Sequence, residues 1–199
     1  MKKSLYTYSM ISLFVLMCPC VSSAGAFSQA PISEELLQTM IKGNAFNQDS
    51  PVPVERLRLL TIQHVGFEGN TKTGQMIVLD ACADAVLKIF ETLYERSFPI
   101  HKMQLIHHYQ GDDEQSMAAN NSSAHNCRTI ARADKLSLHA YGVAIDINPI
   151  QNPCVYIDYD KGVATYAPKT GIQYANRRLE RPGKTTRVGL AEEVVEIFA

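Results

Sequence analysis

The chain has 199 residues, 46% of them apolar and 20% charged, and a formal net charge of -1. That length suits one domain with a real core and argues against two. So even a charge balance gives no reason to expect nucleic acid or an anionic membrane surface as the main partner.

The first stretch reads as a targeting segment. Lys2 and Lys3 precede the apolar run Met10–Cys18, and small residues follow from Val21 to Ala26. A basic start, an apolar stretch too short to span a bilayer and an Ala-x-Ala-like exit make residues 1–26 an expected secretory signal, cleaved near residues 24–26. The competing readings are an uncleaved interfacial anchor and a lipoprotein at Cys18 or Cys20, for which the preceding residues make a poor lipobox. Export would leave the product periplasmic or secreted, with no transmembrane span. Cys82, Cys127 and Cys154 would then remain, a count that permits one bridge and one free thiol. Cys82 falls in a helical pattern and reads as a small buried hydrophobe. Whether Cys127 and Cys154 form the bridge is left open.

Residues 27–55 are rich in Ser, Gln, Asn and Pro, with one helical phrase at Ser33–Leu37, and read as an N-terminal surface arm. From residue 56 the pattern becomes that of a domain. Leu57, Leu59, Thr61 and Val65 predict a strand, Gly66–Asn70 a turn, and Gly74–Leu79 the return strand. Asp80 is placed to cap a helix running to about Arg96, with Ala81, Ala85, Ile89 and Leu93 on one face and Val86 and Phe90 beside them. Met103–Tyr109 reads as a strand, so His107 and His108 would point to opposite faces and at most one could reach a given metal.

The polar stretch Gly111–Arg128 has no periodicity and by composition alone would be a linker. Directly after it comes Ser137-Leu-His-Ala-Tyr-Gly-Val-Ala-Ile-Asp146-Ile-Asn-Pro149. Here an imidazole, His139, precedes a carboxylate, Asp146, by seven residues. The run Val143–Ile147 predicts a short buried strand entered through a turn at Tyr141-Gly142. A buried carboxylate needs a positive or hydrogen-bonding partner. Neutral imidazole plus carboxylate suits zinc, and the bland alternative is a satisfied core histidine beside a turn aspartate. Beyond the motif, Cys154–Asp158 can add a strand, residues 160–185 read as a long loop, and Leu190, Val194, Ile197 and Phe198 read as an amphipathic helix face.

Ser137, His139, Gly142, Ala144 and Asp146 match every fixed position of the Ser-x-His-x-x-Gly-x-Ala-x-Asp signature, and the stretch resembles the M15 family of zinc D,D-carboxypeptidases and L,D-endopeptidases. The segment Asp112–Arg128 is similar to the Asp-Asp-x-x-Ser-Met-Ala-x-Asn segment of the L-alanyl-D-glutamate branch. The turn around Phe67-Glu68-Gly69 looks like that branch's Phe-Asp-Gly hairpin. The resemblance implies an α+β fold of the hedgehog and DD-peptidase type over residues 56–199, a small antiparallel sheet with packed helices. It implies zinc held by His139 and Asp146, with Ser116, Arg128 and Ser137 shaping the substrate pocket. The substrate implied is a peptidoglycan stem peptide, cut at a D-Ala-D-Ala or an L-Ala-D-Glu bond. Arg suits such a pocket because its planar fork can hold a carbonyl, a carboxylate or a forming oxyanion.

A catalytic zinc site needs three protein ligands and an open position. In the M15 family the third is a late His, with the catalytic acid three residues before it. No histidine follows His139, and none of His64, His101, His107, His108 and His125 has Asp or Glu three positions earlier. No catalytic base is therefore identified. The domain is expected to be incomplete at its C-terminal end, with the base beyond Ala199. Two functions follow as expectations: an exported zinc peptidase, or an inactive relative that binds cell-wall peptides.

Overall fold

The computed structural model describes residues 26–130 and 134–198, so the signal expected over the first 24–26 residues lies almost wholly outside the described residues. Strand β1 (Phe27–Pro31), helix α1 (Glu34–Lys42), strands β2 (Leu57–Val65) and β3 (Thr71–Leu79), and helix α2 (Asp80–Glu95) come first. The strands form one antiparallel sheet in the order β1-β2-β3. The β2–β3 turn closes where the sequence placed it, with Gly66 N–H donating to Asn70 O at 2.7 Å.

Alternation along β2 and β3 sends Leu60, Ile62, Met76 and Val78 toward α2, where they meet Val86, Phe90 and Leu93. The helix face is rotated from the expected one. Ala83 is buried, whereas Ala81 and Ala85 are exposed. Nor does Asp80 cap the helix. Leu79 occupies that position, and Asp80 sits in the first turn against Arg56 at 2.7 Å.

A second apolar cluster joins Leu57 and Ile77 to Met40, Ala45, Val52, Leu105 and Ile106. Residues 27–55 are therefore not a free arm: they supply an edge strand and a helix whose Met40 is fully covered. Ser33 starts α1 by accepting Leu36 N–H on its hydroxyl.

After α2 the chain departs from the sequence reading. Only Lys102–Met103 is extended (β4), and Ile106–Tyr109 forms a 3-10 turn. The expected linker is folded: helix α3 (Asp113–Ala118) leads into β5 (Asn121–Ser122), which pairs with β4 in parallel. Asp112 caps α3 by accepting Gln115 N–H. The Val143–Ile147 run makes one isolated bridge, Ser123 to Asp146, and Val143 is exposed. Strand β6 (Cys154–Asp158) forms where a strand was expected, and β7 (Val163–Ala167), inside the expected loop, pairs with it as a separate antiparallel hairpin. The last apolar stretch forms two 3-10 turns, with Leu190 and Val194 buried and Val195 and Phe198 exposed. The architecture is α+β, and no helix among the described residues is long and apolar enough to cross a membrane.

Candidate functional site

The segment that carries the motif is seated by polar side chains. Asn121 accepts Gln104 N–H and donates to Gln104 O and to the Ser116 hydroxyl. Asn148 ties together more distant pieces: it accepts His101 N–H, donates to Pro99 O and Gly189 O, and sends its own N–H to the Ser122 hydroxyl. Its backbone is left-handed, φ 46°, a conformation Asn tolerates better than most residues. Both asparagines are fully buried, so these bonds satisfy groups that would otherwise be costly to cover.

On this frame the motif folds residue by residue. Ser137 N–H donates to Arg128 O, and the Ser137 hydroxyl accepts His139 N–H at 3.3 Å, starting a 3-10 turn over Leu138–Tyr141. Gly142 ends that turn at φ 68°. A Cβ there would stand 2.8 Å from Leu79 N, because the Gly142 carbonyl accepts the Leu79 N–H at the end of β3. Glycine is thus required by both its dihedral and its neighbour. The chain then runs extended: Ile145 and Ile147 pack on the apolar core, and Asp146 points the other way.

His139 and Asp146 meet: Nε2 lies 3.4 Å from Oδ2. The His139 Nδ1 is 2.6 Å from Ala124 O. A carbonyl can only accept, so Nδ1 carries a proton and Nε2 is the nitrogen turned toward the carboxylate. A metal-ligating histidine is supported in this way, one ring nitrogen donating to a carbonyl and the other left to face the metal. The separation is longer than an ordinary hydrogen bond. It agrees with two donors about 2.0–2.2 Å from one tetrahedral centre, which stand roughly 3.4 Å apart. Burial raises the Asp146 carboxyl above its usual range, His139 opposes this, Asp113 adds to it and Arg128 opposes it. A divalent cation would hold such a carboxylate ionised. The residues present therefore fit zinc as two ligands, and no group of three His, Cys, Asp or Glu gathers among the described residues.

No other histidine joins the pair in a group of three among the described residues. His107 and His108 sit on one 3-10 turn with their rings 4.3 Å apart and tilted by 37°, so the opposite-face reading of that stretch does not hold. His125 is only 4% exposed, neither ring nitrogen has a partner, and burial, aided by His139, pushes it down to about 4. Its ring lies beside Phe46 and lines a cavity of about 10 Å³ with His107 and Leu105. Cys127 and Cys154 are separate thiols, and Cys127 Sγ faces Asn47.

Of the residues expected to shape a pocket, Ser116 does not reach one: it is 1% exposed and its hydroxyl is held by Asn121. Ser137 supports the turn beneath His139. Arg128 is at the site, but paired, with Nη2 at 2.7 Å from Asp113 Oδ2. Asp113 is a residue that the sequence did not single out. Its place at the first position of a capped helix was the available signal, since that position projects a side chain back along the helix start. Asn121 carried no signal beyond its position in a polar stretch, and Asn148 none beyond its place at the end of the motif.

A family model described as D-alanyl-D-alanine carboxypeptidase matches residues 131–199. This segment is similar to the M15 peptidase family. The M15 match contains the whole Ser137–Asp146 motif and covers about a third of the chain. Arg128 and Asp113 lie before it. No curated protein and no solved structure matches the chain.

Proposed function

We propose that this protein is an exported zinc peptidase acting on peptidoglycan stem peptides. The observation that carries the reading is the His139–Asp146 pair, 3.4 Å apart, with the His139 tautomer fixed by Ala124 O inside an M15 segment. Zinc, when bound, supplies Lewis-acid activation of water and of the scissile carbonyl. The chain's own part is to bind and orient. His139 and Asp146 give two ligands; Ser137, Gly142 and Ala124 fix their geometry. Arg128, beside Asp146, offers a planar cation to a peptide carbonyl or carboxylate. The family description favours a D-Ala-D-Ala bond, while the likeness of the Asp112–Arg128 stretch favours L-Ala-D-Glu.

The second reading, a binding module for cell-wall peptides, is favoured by one observation: no third ligand joins the pair among the described residues. Such a module would take up zinc and stem peptide and release no product.

Equilibrium dialysis against zinc, followed by mass spectrometry of a muropeptide digest, tests both. The wild-type protein is expected to take up one zinc, and His139→Ala and Asp146→Asn none, with circular dichroism unchanged. Full zinc in both variants would place the site elsewhere. Zinc uptake and peptide binding without cleavage would select the binding module.

A further inference from the structure

Most ion pairs of this molecule are well exposed on at least one side: Arg56–Asp80, Lys72–Glu68, Arg96–Glu196, Lys161–Asp158 and Arg177–Glu192 each have a side chain more than half exposed. Arg128–Asp113 is different, with side chains 26% and 22% exposed and 2.7 Å between them. A pair of that kind holds its geometry better than an open surface pair, because less water competes for either partner.

Both partners are anchored to the site's own frame. Arg128 O accepts the N–H of Ser137, the residue that supports the turn bearing His139. The guanidinium also donates through Nη1 to Thr129 O. Its Nε is buried and has no partner. Asp113 is fixed by the cap that Asp112 provides to α3, and Gly111, just before, accepts from the Asn126 side chain. The charges of both Arg128 and Asp113 act on Asp146.

Asp113 does not help Asp146 stay ionised, since a second carboxylate nearby opposes that. Among the described residues its close charged partner is Arg128. We infer that Asp113 is a positioning residue that holds the Arg128 guanidinium beside the His139–Asp146 pair, oriented to take an oxygen of a peptide substrate. This rests on the peptidase reading above and adds to it the group that orients its cationic arm. An unrestrained Arg would sample many rotamers, and the carboxylate removes that freedom before the peptide arrives.

The test is a double-mutant cycle on zinc-loaded full chain. The probe is a synthetic stem pentapeptide of L-Ala, D-Glu, L-Lys and two D-Ala, with binding followed by calorimetry. Asp113→Asn is expected to weaken Kd about tenfold, a typical loss for a group that orients a binding residue. Zinc stoichiometry and Tm should be retained. Asp113→Glu, which keeps the charge, should recover most of the affinity. In an Arg128→Ala background, Asp113→Asn should change Kd by less than about twofold, because its effect passes through the missing guanidinium. Wild-type affinity in Asp113→Asn, an additive loss in the Arg128→Ala background, or a loss tracking Tm or zinc would each overturn the inference while leaving the peptidase reading intact. A wild-type chain that holds zinc but binds no stem peptide would overturn both.

Discussion

Different forces order the slab between β2, β3 and α2 and the polar segment that leads into and carries the motif. The slab is a packing problem. Leu60, Ile62, Met76, Val78, Phe90 and Leu93 meet across it, and regular backbone pairing satisfies the strands. The motif segment has little regular structure. It is placed by Asn121, Ser122, Ser137 and Asn148, whose side chains bond to backbone groups of neighbouring loops. Apolar contacts tolerate small shifts, whereas hydrogen bonds fix direction. The region that must hold two donor atoms 3.4 Å apart is therefore built from the directional kind.

The comparison predicts unequal responses to damage. Phe90→Ala empties the centre of the slab and should cost about 3–5 kcal/mol, read as a fall in denaturant midpoint with all probes moving together. If the motif segment lost its structure first in that variant, the two regions would not be stabilised as described.

Acid should act on the second region through His125. Its folded value is about 4 and its unfolded value about 6.5, so the unfolded chain takes up the proton first as pH falls. The stability is complete above about pH 6.5 and is lost down to about pH 4, by roughly 3 kcal/mol. Burial also pushes His64 and His107 below their usual range, and they add in the same direction. Denaturation of the metal-free protein across that window should show the loss, and His125→Phe should flatten it. An unchanged slope in that variant would assign the acid response to other groups.

A smaller effect is expected at Asn148. Replacing it with Ala removes three side-chain bonds and leaves a left-handed residue without the side chain that favours it. The cost should be about 2 kcal/mol. Zinc uptake should suffer more than α2 does, which hydrogen exchange can resolve. Equal loss of protection in α2 and in the motif segment would merge the two regions into one.

How far each region was legible in the sequence follows the same division. Alternation of apolar residues from Leu57 to Leu79 gave the hairpin, because a strand writes its buried face into every second position. Helical spacing gave α2 but misplaced its face. Ala81 and Ala85 fit the stripe, and their small side chains do not reveal which flank the sheet covers. The Met103–Tyr109 strand and the closing helix failed because short apolar runs have no period long enough to separate a strand, a helix and a 3-10 turn. Residues 27–55 looked like an arm because their polarity is local, while the burial of Met40 depends on Leu105 and Ile106 far along the chain.

At the site, the match of Ser137, His139, Gly142, Ala144 and Asp146 to a family signature marked His139 and Asp146 as partners, where a His and an Asp seven residues apart would by themselves have been unremarkable. Only the tertiary structure decided what supports them. A carbonyl at Ala124 sets the His139 tautomer, Ser116 turns inward to Asn121, and Asp113 takes the guanidinium of Arg128. Each of these contacts joins residues from separate turns of an irregular chain. A linear sequence carries periodicity and motif spacing, but the meeting of two loops depends on how the core beneath them packs.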